Sequence, residues 1–116
     1  MSSAVTDSGW TFHAEITVMK DLAEWGSSGI LVCTSNGKIY LDGTLKSTLT
    51  TSDNKKIYNV TSLNVSGTDY LYFWTISKIH RCTLADLTTV TNDHLSYTSG
   101  GENFRPIINN FNLALF

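Results

Sequence analysis

In 116 residues the chain carries a net charge of −2 and only 16% charged residues, under the roughly 25% of average usage. With no basic cluster beyond Lys55-Lys56, and no apolar run long enough to cross a bilayer, the expectation excludes nucleic-acid and membrane partners. Two cysteines, Cys33 and Cys82, are too few for a disulfide scaffold, and the start MSSAVTD has neither the basic segment nor the apolar core of a secretory signal.

Ser, Thr and Asn supply much of the polar share, a mixture that suits pleated strands and tight turns. The first ten residues read as a polar arm. Residues 11–18, TFHAEITV, alternate as a strand does. Residues 20–24 are mostly good helix formers and Gly26 offers a stop, so a helix of about two turns is expected with Val18, Leu22 and Trp25 on one face. From there the pattern is β. Residues 30–33 form a buried-type strand, Ser35-Asn36-Gly37 a hairpin turn, and residues 38–41 the return strand. Asp42-Gly43 is the next turn, residues 45–51 a Thr-rich outward strand, and residues 52–56 a loop by composition.

The same order then recurs. Residues 57–65 are β-branched, 70–74 strongly apolar and aromatic, 75–77 a turn, 78–84 a return strand and 87–91 a second Thr-rich strand. Asn92-Asp93-His94 open a polar loop that continues through residues 99–103, and residues 104–108 and 112–116 read as the first strands of a third cycle. An offset of 40 aligns Leu31 with Leu71, Lys38 with Lys78, Ile39 with Ile79 and Thr51 with Thr91. The expected organisation is an arm over 1–10 and one β domain over 11–116, with units at about 11–56 and 57–103 and a third starting at 104.

The stretches GILVCTSNGKIYLDGTL and DYLYFWTISKIHRCTLADLTTV resemble blades of YWTD-like and NHL-like β-propellers. The second departs from the blade pattern with Ser77 where the first has Gly37, and with Cys82 opposite Asp42. The resemblance implies an all-β fold of antiparallel four-stranded, blade-like sheets forming part of a propeller; a small β-sandwich or jelly roll is the alternative. Propeller rings close with about four to eight blades, so two units and the start of a third imply other subunits, the C-terminal FNLALF being the strand left to pair.

No catalytic or metal-binding signature stands out. His13, His80 and His94 are far apart, Cys33 and Cys82 lack zinc spacing, and SGGENF lacks the lysine and helix of a phosphate loop. The expectation is a non-enzymatic chain with no cofactor. The resemblance places ligand-binding residues in loops at one end of a ring: Ser35, Asn36, Asp53, Asn54, Asp93 and His94, with Thr75 and Glu102 beside them. Trp74 is either a stacking platform for a sugar or a core residue. Three readings follow: a structural or interaction module of a larger assembly, resembling phage and other virion components in composition; a carbohydrate-binding lectin of oligomerised blades; or a fragment of a propeller enzyme.

Overall fold

A computed structural model of the protein describes residues 10–51 and 54–96. It is all-β, with two four-stranded antiparallel sheets. The first runs in the order β1 (Ile16–Asp21), β2 (Ile30–Thr34), β3 (Lys38–Leu41), β4 (Thr44–Thr48). The second runs β5 (Asn59–Val65), β6 (Thr68–Trp74), β7 (Lys78–Thr83), β8 (Asp86–Ser96). Each sheet is thus a meander in which every strand pairs with its sequence neighbour. The third unit expected from residue 104, and the arm before Trp10, lie outside the described residues.

The turns follow local chemistry. Asp42-Gly43 closes β3–β4 with positive φ at both residues (51° and 81°), the primed two-residue turn that matches strand twist. Asp42 also ties this turn to β2, its Oδ1 accepting from the Ile30 N–H at 2.9 Å. Ser66-Gly67 repeats the turn between β5 and β6, with φ of 54° and 89°. The β7–β8 turn, Leu84-Ala85, has neither residue at positive φ.

Four sequence expectations are corrected. The strand expected over residues 11–18 is β1 at Ile16–Asp21, and the two-turn helix is a 3-10 helix of four residues, Leu22–Trp25. Val18 sits in β1 opposite Cys33, so pairing with β2 overrides helix propensity until Asp21, whose side chain caps the short helix. Gly26 does end it, left-handed at φ 77°. The strand expected over 45–51 is β4 at Thr44–Thr48. Finally, Asn92-Asp93-His94 lie within β8, not in a loop; Asp93 has φ 53° where the β7–β8 register shifts.

The sheets pack face to face, β4 against β8 and β1 against β5. Between them lies one core: Val18, Leu31, Cys33 and Ile39 from the first sheet, Val60, Leu71, Phe73, Cys82 and Leu87 from the second, and Leu49 and Ile57 from the connection. Alternation sends Tyr72 and Trp74 to the opposite face of the second sheet. There they form a second cluster with Ile79, bordered by Tyr58, Leu63, Val65, Tyr70 and Leu95. Both faces of β6 are therefore buried, which is why YLYFW reads as a continuous apolar run. On the outer side of the first sheet, the ring of Phe12 meets Tyr40 edge-on at 4.7 Å between centroids, and the indole of Trp10 lies against Gly43.

The offset of 40 holds for β2 and β6, then slips. Cys33 pairs with Ile39, but Phe73 pairs with His80, because the second hairpin loop is one residue longer. The partner of Ile39 in the second sheet is therefore His80. Ile79 points to the outer cluster, so the Ile39/Ile79 and Lys38/Lys78 matches do not join equivalent positions.

Candidate functional site

The expected site residues that the structure describes gather at the end of the stack that carries the β2–β3 and β6–β7 turns. The connection between sheets stitches this end together. Leu49 N–H donates to Gly37 O at 2.8 Å, and Tyr58 N–H donates to Trp74 O at 2.8 Å. Asn54 Oδ1 accepts from the Lys56 N–H, shaping a turn that lays Lys55 over Gly37. A side chain at Gly37 would meet Lys55 Cβ at 2.9 Å, so this crossing requires glycine.

Ser35 and Asn36 occupy the first turn, where Thr34 Oγ1 bonds to Asn36 Oδ1. Asp53 lies outside the described residues, as does Glu102. Trp74 is fully buried, which corrects the stacking-platform reading: its ring is a core element of the outer cluster. His94 lies beside Tyr72, at 6.4 Å between ring centroids. Burial first, then the Arg81 charge, holds its imidazole below the ordinary histidine range.

Asp93 belongs to a buried polar junction that the sequence did not reveal. From the connection after β4, Thr51 Oγ1 donates to Asp93 Oδ1 in β8, and Thr50 N–H donates to Asn92 Oδ1 beside it at 2.9 Å. The Asp93 N–H in turn donates to His80 Nδ1 at 2.9 Å, and His80 Nε2 faces Thr75 Oγ1 at 3.1 Å. Thr75 and His80 are both fully buried. Positive φ at Asp93 is the bulge that turns its N–H toward the ring.

Hydroxyl, imidazole and carboxylate in this order resemble a nucleophilic triad, but the tautomer is the opposite one. A catalytic histidine donates its Nδ1 proton to the carboxylate and accepts at Nε2. Here Nδ1 accepts from a backbone N–H, so the ring proton sits on Nε2 and points at Thr75. The Asp93 carboxylate stands 3.8 Å from Nδ1. The junction ties the connection between the sheets to β8 of the second sheet; it does not activate Thr75.

Both cysteines are buried thiols. Burial, then the neighbouring Cys82 across the core, raises the Cys33 thiol far above its ordinary value, and Cys82 is pushed up to about 12. Among the described residues, no three metal-ligating side chains come together. Two buried ring nitrogens, Trp74 Nε1 and His94 Nε2, have no hydrogen-bond partner among the described residues, and both rings neighbour Tyr72. Comparison of the chain with protein-family models, curated proteins and solved structures finds no match.

Proposed function

We propose that the chain is a non-enzymatic structural and protein-interaction module, built of blade-like sheets that stack within a larger β assembly. The observation that carries this reading is the second sheet, apolar and buried on both faces. A sheet at the surface of a two-layer sandwich needs only one apolar face; a blade between neighbours needs two. The matching strand order of the two sheets fits the propeller resemblance.

Two such sheets are a fraction of a ring, and further copies of the chain supply the rest in this reading. The low charge and the Thr/Asn/Ser-rich composition resemble those of virion components and support a structural role of that kind. Light scattering on the full chain with intact-mass measurement tests the proposal. A closed oligomer of defined stoichiometry is the expected result; a monodisperse, stably folded monomer at all concentrations would contradict it.

A further inference from the structure

The end of the stack opposite the Thr51–Asp93 clamp is open. Two adjoining hollows of about 450 and 310 Å³ share Ser27, Leu84 and Ala85 as lining residues. Together they form a trench between the segment after the 3-10 helix and the β5–β6 and β7–β8 turns. Their volumes fall at the lower end of the range of small-ligand sites.

Three features give the trench a chemistry. The first is the indole of Trp25, which is half-buried and packed against the inter-sheet core, with Lys20 Nζ held 5.8 Å from its ring centre. A ring fixed in this way offers a flat apolar surface at little entropic cost. The second is a pair of oriented acceptors. Asp69 is held by Asn64 Nδ2 at 2.8 Å, and Asp86 is held by the backbone N–H and hydroxyl of Thr88. The Thr88 bonds keep the Asp86 carboxyl below its ordinary range, so it accepts hydrogen bonds throughout neutral pH. The third is clearance. Gly26 and Gly67 border the wider hollow, and a side chain started at either would meet nothing within 4 Å.

We infer that this trench is a saccharide-binding site. A pyranose presents an apolar C–H face suited to the Trp25 indole, with hydroxyls at its rim that donate to Asp69 in the same hollow. A second ring fits the adjoining hollow, where Asp86 and Lys46 stand as acceptor and donor. The two carboxylates repel phosphate and other dense anions, which selects neutral or amino sugars. The site consists of residues at the sheet ends, so it does not depend on the stacking role proposed above.

The test titrates the full chain, labelled with ¹⁵N on its indoles, with cello-, malto- and chito-oligosaccharides at millimolar concentration. The expected result is a saturable shift of the Trp25 indole signal with at least one of the three. Trp25→Ala, which removes that reporter and is read by titration calorimetry, weakens binding about tenfold, equivalent to about 1.4 kcal/mol. Ala85→Arg, an exposed turn change that fills the trench, weakens it comparably without touching the core, and so stands if Trp25→Ala fails to fold. Absence of any Trp25 shift with all three sugars, or a shift unchanged in Ala85→Arg, would overturn the assignment.

Discussion

The two sheets share strand order and inner-face pattern but finish their outer faces in different ways. In the first, Val32 and Tyr40 face outward, and the chain's own Trp10 and Phe12 lie over that side. In the second, the outward positions of β6 carry Tyr72 and Trp74, large rings that form a core of their own. The first sheet's outer face is covered by a short local segment; the second's is a cluster of its own large rings, buried within this chain. A second difference lies in the hairpins. One extra residue in the β6–β7 loop puts His80 where the first sheet has Ile39, replacing an apolar contact with the polar clamp to Asp93 and Thr51.

Substitutions at matching positions sharpen this contrast. Tyr72→Ala is expected to cost about 4 kcal/mol, as aromatic truncations in cores do. Val32→Ala, at the equivalent outward position of the first sheet, costs about 2 kcal/mol. Urea midpoints measure both, and equal losses would break the distinction between the faces. His80→Ile makes the second hairpin resemble the first. It removes the acceptor of the Asp93 N–H and is expected to cost about 2 kcal/mol. No loss in the same urea assay would show that the clamp holds nothing.

Gly43→Ala and Gly67→Ala form a smaller pair. Both sit at positive φ in the same type of turn, where alanine costs about 1 kcal/mol. At Gly43 the new methyl would also strike the Trp10 ring, displacing part of the first sheet's cover; at Gly67 it meets open space. Gly43→Ala is therefore expected to be the more destabilising and to shift Trp10 emission to the red. The smallest effect concerns His94 on the second sheet. Its folded-state pKa is depressed below the ordinary 6.5, so the unfolded chain binds the proton more readily. That contribution to stability is complete above about pH 6.5 and is lost as pH falls through the folded value. His94→Gln should flatten the fall in urea midpoint between about pH 7.5 and pH 5.5.

Much of this fold was legible in the residues. Asp42-Gly43 and Asn36-Gly37 mark hairpins through their backbone preferences, and the unbroken run 70–74 signals a strand covered on both sides. The misses arise where tertiary contacts override local preference. Lys20 and Asp21, expected to open a helix, pair with β2 instead. Asn92-Asp93-His94 have loop composition, yet Asn92 accepts from Thr50 and Asp93 donates to His80, which keeps them in β8. The candidate site was less legible. Trp74 and Trp25 are equivalent as letters, and only the fold shows that one is core and the other lines a trench. His80 carried no motif, because its partners Thr75 and Asp93 lie in the β6–β7 turn and in β8.

That the outer face of the second sheet is a core of its own is tested most directly at Trp74. In a Trp10→Phe, Trp25→Phe background, Trp74 is the sole indole, and its emission and acrylamide quenching report its surroundings. A blue-shifted emission that resists quenching is the predicted result. A red-shifted, readily quenched indole in the folded protein would place that face in water and contradict the account.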